Sequence, residues 1–295
     1  IPIRYVEPVF RPPSEAESLI LPVTDGCSWN ECTFCEMYTA PQKKFRARDE
    51  AEVLESIRLT GERYGDQVRR VFLADGDATV LPTRRLLAVL AAIRAHLPAV
   101  RRISSYCLPR NLRRKSQAEV DELAAAGLSM VYVGAESGDD KVLAAVHKGE
   151  TFETTREALD KLGAAGITRS VMILNGLGGS VYSRQHAENS ARLANATQPE
   201  YLATLVVSFP LGEQRFRAGF PEWEPLTQHE LFVETEQLLS ALELRRTVFR
   251  SDHASNWLVL KGTLGADKER LLAQVRQAIS SPEKAHLRPA WARGL

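Results

Sequence analysis

The feature that most constrains this fold is a regular alternation of short apolar runs with longer amphipathic ones. Six runs of the strand type occur, at residues 19–24, 70–77, 101–108, 130–138, 170–179 and 201–210. Segments with helical spacing separate them, at residues 49–65, 81–97, 116–127, 139–147, 153–165 and 183–197. This order predicts an α/β fold in which right-handed crossovers connect parallel strands. The sheet then either winds doubly or curls into a barrel.

The alternation ends at Pro210, and this break sets the predicted domain organisation. Residues 1–18 are interpreted as an N-terminal extension and residues 19–210 as the α/β core. Residues 211–295 are expected to cap the core and to contribute to the substrate site. This last region should contain a long loop at 211–225, helices at 226–243 and 266–280, and a strand with a polar loop within 245–260.

Polar and glycine residues follow the predicted strands directly. They comprise the cysteines near residue 30, residues 75–77, Tyr106, residues 136–138 and residues 175–179. In parallel α/β proteins, ligands bind at the carboxyl edge of the sheet. Any one of these turns is also explained by ordinary turn chemistry, because Gly and Asp are common turn residues. Five of them on one edge favour a binding site.

Net charge and hydropathy narrow the class of partner. The formal net charge is +1, so nothing in the bulk charge calls for nucleic acid or a membrane surface. No run of about 18 apolar residues occurs, and the first ten residues lack a signal-peptide core. We expect a cytoplasmic protein with neither a nucleic acid nor a membrane partner. Thiols stay reduced in that compartment.

Three of the four cysteines, Cys27, Cys32 and Cys35, lie within nine positions. A disulfide is disfavoured in a reducing compartment. A closed zinc site normally takes four protein ligands, and no second cysteine pair is present. An iron–sulfur cluster with three cysteine ligands and one open iron is the better chemical fit. Phe34, between the last two cysteines, would shield such a cluster or simply pack in the core.

A strand, a three-cysteine loop with an aromatic residue before the last cysteine, and a series of βα units resemble the radical S-adenosylmethionine (radical SAM) superfamily. The spacing here is C-x4-C-x2-C, whereas the commonest spacing in that family has three residues in the first gap. The resemblance implies a partial TIM-like (β/α)6 barrel with a C-terminal helical and loop extension. It also implies that Cys27, Cys32 and Cys35 bind a [4Fe-4S] cluster whose fourth iron is chelated by S-adenosylmethionine.

The resemblance assigns further residues to S-adenosylmethionine. Asp75-Gly76-Asp77 resembles the Gly-Gly-Glu motif, which binds the methionine amino group. Residues 134–138 resemble the segment that contacts the ribose, and residues 175–179 the glycine-rich segment near the adenine. The full set of implied cofactor contacts is Phe34, Asp75, Gly76, Asp77, Ser104, Tyr106, Glu136, Ser137, Lys148, Asn175 and Gly176.

The family chemistry implied is reductive cleavage of S-adenosylmethionine to a 5′-deoxyadenosyl radical, which abstracts hydrogen from a small-molecule substrate. An external donor of the flavodoxin or ferredoxin type would supply the electron. Tyr106 and His253 are the candidate catalytic side chains; His253 lies in a polar run, residues 250–257, that is equally explained as a solvated turn. Residues 211–225 are a candidate lid or an ordinary packed connector, and Cys107 is expected to be a buried thiol.

Two alternative classes of function remain open at this point. On the same fold, S-adenosylmethionine could serve methyl or 3-amino-3-carboxypropyl transfer. A cluster without a cofactor pocket could instead carry electrons or act as a sensor. The sequence has no second cysteine cluster, which argues against an auxiliary cluster as sulfur donor or electron relay.

Overall fold

The computed structural model of the chain describes residues 2–294, and the chain divides into two compact units. The first unit contains residues up to 30, residues 35–133 and residues 158–169. The second contains residues 31–34, residues 134–157 and the chain from residue 170 onward. The sequence did not predict this division, which passes through the cysteine loop. The predicted boundaries at residues 18 and 210 stay a prediction.

Strands and helices alternate along most of the described chain. The strands are β1 (Leu19–Pro22), β2 (Thr24–Asp25), β3 (Arg46–Ala47), β4 (Arg70–Ala74), β5 (Arg102–Tyr106), β6 (Leu128–Glu136), β7 (Thr168–Asn175), β8 (Tyr201–Val206), β9 (Thr247–Ser251) and β10 (Leu260–Leu264). The α-helices are α1 (Glu50–Tyr64), α2 (Thr83–His96), α3 (Gln117–Ala125), α4 (Asp140–Ala145), α5 (Phe152–Ala164), α6 (Gly179–Thr197), α7 (Gln214–Gly219), α8 (Gln228–Ala241) and α9 (Lys268–Ser280).

In the first unit, β1, β4, β5 and β6 pair in that order, and all of these pairs are parallel. Four successive residues of β4, from Val71 to Ala74, are buried. This continuous burial is expected of a parallel strand covered on both faces. On one face, Phe72 packs in a cluster with Ile20, Met130 and Tyr132. The N-terminal segment contributes Tyr5 and Val9 to the same cluster.

Side-chain caps begin two helices of this unit. Asp49 accepts the N–H of Glu52 at 3.0 Å and so begins α1. Ser116 and Glu119 form the reciprocal bonds of a capping box at the start of α3. Both caps satisfy N–H groups that the first turn of a helix leaves without a partner.

In the second unit, β7, β8 and β9 are parallel neighbours, and β10 pairs antiparallel with β9. Helix α8 packs against both α6 and α9. The region after residue 210 therefore adds two strands to this unit. β9 lies in the segment where the sequence predicted a strand, whereas β10 was not predicted. The predicted loop at 211–225 also contains a short helix, α7.

The α/β class and the six predicted strands, β1 and β4 to β8, are confirmed. Within each unit the pairs among these strands are parallel. Within residues 2–294, no helix combines the length and the apolar character needed to cross a lipid bilayer.

Candidate active site

In the first unit, the turn after β4 approaches the cysteine loop closely at Gly76. The N–H of Gly76 donates to the carbonyl of Gly26 at 3.0 Å. A Cβ atom at Gly76 would lie 2.9 Å from the Cβ of Cys27 and 3.0 Å from a ring carbon of Tyr38. These positions leave no room for a side chain, so the residue must be glycine for the turn and the loop to meet.

Asp77 holds the residue that follows Cys27. Its buried carboxylate accepts the N–H of Ser28 at 2.8 Å, the Ser28 hydroxyl, and the side-chain amide of Asn111 at 2.9 Å. Burial raises the pKa of Asp77, and the bonds from Ser28 and Asn111 partly offset that rise. The carboxylate predicted to contact the cofactor amino group is therefore also an anchor for the cysteine loop.

Asp75 forms a buried ion pair with Lys43. The two side chains are 2% and 1% exposed, and the Lys43 ammonium also donates to the carbonyl of Val6 at 2.8 Å. Burial raises the pKa of Asp75, and Lys43 opposes the rise without cancelling it. Among the described residues, Asp75 Oδ1 and the Tyr38 hydroxyl have no hydrogen-bond partner. Buried polar atoms normally have one, so these two are suited to a ligand.

The two predicted side chains on β5 differ in their surroundings. Ser104 is fully buried and donates its hydroxyl hydrogen to the carboxylate of Glu15. The ring of Tyr106 packs edge-on against Phe72 and Tyr132, with centroids 5.1 and 6.2 Å away. Burial raises the pKa of Tyr106, and charge on Tyr132, Asp75 and Cys35 adds to the rise. Tyr106 therefore stays a neutral phenol near the cysteine loop. The hydroxyl hydrogen of Ser104 is donated to Glu15, so Ser104 can only accept a bond from a ligand.

In the second unit, Glu136 and Lys148 are both buried. Glu136 has a φ of 67°, in the left-handed region, and its Oε2 has no hydrogen-bond partner among the described residues. Burial raises its pKa to about 7, although the charge of Lys148 acts in the opposite direction. A strained, buried carboxyl group with an unbonded oxygen is typical of a ligand contact.

We expect Glu136→Gln to flatten the pH dependence of stability of the cofactor-free protein. Because the folded-state pKa of about 7 exceeds the ordinary value of 4.5, folding binds a proton at Glu136 between these pH values. The free energy of unfolding therefore falls as pH rises through this range, by about 3 kcal/mol from this group. Urea denaturation of both proteins at pH 5, 6, 7 and 8 measures the difference. Parallel pH profiles would contradict the assignment.

Ser137 is bonded within the protein. His186 Nε2 lies 2.9 Å from the carbonyl of Leu174, so this nitrogen donates and Nδ1 accepts. The Ser137 hydroxyl, 2.7 Å from Nδ1, is then the donor to His186, and it accepts the N–H of Asp139 at 3.0 Å. Ser137 can therefore only accept a further bond, so it could receive one from a ribose hydroxyl but could not donate one.

The glycine-rich segment at residues 175–179 joins β7 to α6. Both backbone polar groups of Gly176 are bonded: its N–H donates to Glu234 at 2.8 Å, and its carbonyl accepts from Trp223 at 3.2 Å. Asn175 is buried and lines a cavity of roughly 20 Å³ together with Asn256. That volume holds about one water molecule. The cavity brings a predicted cofactor residue beside the polar run at 250–257.

The segment considered as a lid carries three buried aromatic side chains, Phe216, Phe220 and Trp223. They form one cluster with residues of α4 and of the strand and loop around Leu174, and Phe34 packs partly buried against it. This arrangement is that of a packed connector, and a role as a lid stays a prediction.

His253 lies on an exposed turn. Its Nδ1 accepts the N–H of Ser255 at 3.1 Å and lies 2.8 Å from the Ser255 hydroxyl, which in turn accepts the N–H of Val206 at 3.1 Å. Burial and the charge of Arg288 lower the pKa of His253, so the neutral ring carries its hydrogen on Nε2. Within this turn His253 acts as a turn former, and a role as proton donor stays a prediction.

The cysteine thiols fit an iron–sulfur cluster in chemical type. No disulfide joins any of the four cysteines in the described part of the chain, and Cys107 is buried as expected. Across residues 2–294, no three His, Cys, Asp or Glu side chains are gathered closely enough to hold a metal ion. Ligation by Cys27, Cys32 and Cys35 therefore stays a prediction. The unbonded oxygen of Asp75 in the first unit is an acceptor suited to an amino group, and that of Glu136 in the second unit is an acceptor suited to hydroxyl groups.

Sequence reasoning missed several residues around these positions. Tyr38 and Lys43 lie in the loop after the cysteines, a segment without periodicity. Asn111, His186 and Glu234 lie on other elements. The site residues that they bond, Asp77, Ser137 and Gly176, are at least 34 positions away in sequence. A signal existed only for Tyr38, an aromatic residue three positions after Cys35.

Comparison with known proteins places the chain in a family. The model of the radical SAM superfamily matches residues 21–194, more than half of the chain. No curated protein sequence gives a match.

Three solved structures illustrate the likeness in fold. The radical S-adenosylmethionine methyltransferase TsrM from Kitasatospora setae, solved with cobalamin and a [4Fe-4S] cluster, is 19% identical, with a TM-score of 0.53 over 64% of this chain and 36% of that chain. Coproporphyrinogen III oxidase (HemN) from Escherichia coli is 14% identical, with a TM-score of 0.58 over 76% and 51%. Methylornithine synthase (PylB) is 14% identical, with a TM-score of 0.52 over 92% and 74%.

The chain thus spans only about a third of the length of TsrM, and these likenesses concern the fold. The family match covers the region that holds the three cysteines and all of the implied cofactor contacts. The chain belongs to the radical SAM superfamily, whose members are enzymes that use a [4Fe-4S] cluster and S-adenosylmethionine.

Proposed function

We propose that this enzyme cleaves S-adenosylmethionine reductively and uses the resulting radical to remove hydrogen from a small-molecule substrate. The observation that supports it most is the set of buried, unbonded oxygens on Asp75 and Tyr38 in the first unit. Burial raises the pKa of the Tyr38 phenol, and nearby charge on Asp75 and, to a smaller extent, on Cys35 and Cys27 adds to the rise. Acceptors for an amino group thus lie next to the predicted cluster ligands.

The cofactor pair, when bound, supplies a 5′-deoxyadenosyl radical that can abstract a hydrogen atom. The protein residues bind and orient it. Cys27, Cys32 and Cys35 are the proposed cluster ligands. Asp75, with its unbonded Oδ1, is the proposed acceptor for the methionine amino group, and Asp77 keeps the loop in place through Ser28.

Glu136 is the proposed acceptor for the ribose hydroxyls. Its Oε2 has no partner among the described residues, and the buried position makes an added hydrogen bond strong. Donation from two hydroxyls would favour the ionised form of Glu136 and lower its pKa from about 7. Lys148 supplies a buried positive charge near this carboxyl group, and we propose that it also balances the cofactor carboxylate.

A small-molecule substrate and an external one-electron donor of the flavodoxin or ferredoxin type complete the proposal. TsrM has been solved with a tryptophan substrate, which is an example of a small-molecule substrate in this superfamily. We keep His253 and Tyr106 as candidate residues for the substrate step. The small cavity that Asn175 and Asn256 line lies beside the polar run at 250–257, which contains His253.

Product analysis of the reconstituted enzyme tests the proposal. Anaerobic reconstitution should give about four iron and four sulfide per chain. With S-adenosylmethionine and a low-potential reductant, chromatography should then detect 5′-deoxyadenosine. Formation of S-adenosylhomocysteine or methylthioadenosine in its place would favour methyl or aminocarboxypropyl transfer. Cluster formation without any binding of S-adenosylmethionine would favour electron transfer or sensing, and about one zinc per chain would overturn the assignment.

A further inference from the structure

The glycine-rich loop, residues 175–179, is held by two side chains that lie beyond the region matched by the family. Glu234, on α8, accepts the N–H of Gly176 at 2.8 Å. The indole nitrogen of Trp223, in the segment between α7 and α8, donates to the carbonyl of Gly176 at 3.2 Å. Both backbone polar groups of one loop residue are therefore fixed by side chains about 50 positions later in the chain.

Glu234 connects this loop to the helix that follows it. Its second oxygen accepts the hydroxyl of Ser183 at 2.6 Å, and Ser183 lies in α6, which begins at Gly179. Glu234 is 1% exposed. Burying a carboxylate is unfavourable unless hydrogen bonds compensate, and an apolar side chain would fill the same space without that cost. A carboxylate at this position is useful because it bonds both the backbone of Gly176 and Ser183 in the first turns of α6.

Trp223 is itself immobilised by aromatic neighbours. Its ring centroid lies 5.0 Å from that of Phe216 and 5.7 Å from that of Phe209, with edge-on geometry in both pairs. A Cβ atom at Gly179, which has a φ of 61°, would lie 2.6 Å from Trp223. The indole thus contacts both ends of the loop, and its own position is fixed by packing.

We propose that Glu234 and Trp223 are positioning residues that hold the loop at 175–179 in its binding conformation and so set the affinity for the adenine end of S-adenosylmethionine. This inference rests on the proposed function. Both polar groups of Gly176 are bonded within the protein, so the proposed ligand contact of this loop is the side chain of Asn175. Preorganising a loop raises affinity by removing the entropic cost of ordering it on binding.

Three variants and one control distinguish this positioning role from a contribution to the stability of the fold alone. Glu234→Ala removes the acceptor, and Trp223→Phe removes the donor while keeping an aromatic ring. Glu234→Gln keeps an acceptor for the Gly176 N–H, so its loop exchange and its Kd should equal those of wild type. Glu236→Ala, on the same helix, removes only a partly exposed contact with Arg276 and Ser240 and serves as the matched control.

Two measurements are needed. Hydrogen–deuterium exchange of residues 175–180 in the cofactor-free protein reports loop opening, and titration of the reconstituted enzyme with S-adenosylmethionine reports its Kd. For Glu234→Ala and Trp223→Phe we expect at least about tenfold faster exchange and an at least about tenfold higher Kd. The rate of 5′-deoxyadenosine formation at saturating S-adenosylmethionine should stay within about twofold of wild type. Glu234→Gln and Glu236→Ala should match wild type in both.

Faster exchange with an unchanged Kd would overturn the proposal, as would unchanged exchange. If Glu234→Ala does not fold, Trp223→Phe alone decides the outcome. A wild-type enzyme that binds S-adenosylmethionine but forms no 5′-deoxyadenosine would refute the proposed reaction and leave the positioning role standing. A wild-type enzyme that does not bind S-adenosylmethionine would refute both.

Discussion

Replacing Cys35 with Ala should abolish the iron–sulfur cluster and, with it, cleavage of S-adenosylmethionine. A cubane of four irons needs four ligands, and three of them are assigned to Cys27, Cys32 and Cys35. Loss of residues that merely support a metal ligand already costs about 10–100-fold, so loss of a ligand should lower the rate of 5′-deoxyadenosine formation by more than about 100-fold. Iron and sulfide content after anaerobic reconstitution would measure the cluster directly.

Cys107→Ala is the control for this experiment. Cys107 lies after β5, is 1% exposed, and is the one cysteine outside the loop. Its removal should leave a small cavity and a modest loss of stability, with iron content equal to that of wild type. Equal iron loss in both variants, or retention of the cluster in Cys35→Ala, would contradict the ligand assignment.

Replacing Lys43 with Met should cost about 3–5 kcal/mol of the free energy of unfolding. The Lys43–Asp75 pair is almost completely buried, and removing one partner of such a pair leaves an uncompensated charge. The pKa of Asp75 is already raised by burial, and the loss of Lys43 would raise it further. A raised carboxyl pKa means that stability falls as pH rises above the ordinary value near 3.8, so the loss should be larger at pH 8 than at pH 5.

Urea denaturation at both pH values measures this loss. The double variant Lys43→Met with Asp75→Asn should recover most of it, because a neutral amide in place of the carboxylate removes the buried charge. The Asp75→Asn single variant separates the contribution of each partner through a double-mutant cycle. A loss below about 1 kcal/mol for Lys43→Met, or no recovery in the double variant, would show that the pair contributes little.

The strands and helices could be predicted from the sequence because the features that specify them involve residues close together in the chain. Burial of successive residues from Val71 to Ala74 makes a continuous apolar run, and a cap such as Asp49 sits within three residues of the N–H group that it binds. The three cysteines are close in sequence for the same reason: ligands on one loop can reach one metal centre. From these features the α/β class, the succession of six strands along the chain and the superfamily could be predicted.

The role of each polar side chain depended on residues that are distant in sequence. Ser104 bonds to Glu15, Asp77 to Asn111, and Asp75 to Lys43, with separations of 89, 34 and 32 positions. No periodicity encodes such pairs, since the same Ser or Asp could equally have faced solvent. The division into two units, and the pairing of the unpredicted strand β10 with β9, likewise follow from packing between distant segments.

The sequence by itself determined the alternating framework, the position of the cysteine loop and the turns that follow the strands. The tertiary structure decided which of the predicted polar atoms remain available to a ligand. Asp75 Oδ1 and Glu136 Oε2 stay unbonded among the described residues, whereas the proton of Ser104 and both backbone groups of Gly176 are already used. The physical reason is that a hydrogen bond is directional and takes one donor, so which groups pair is settled only when the chain has folded.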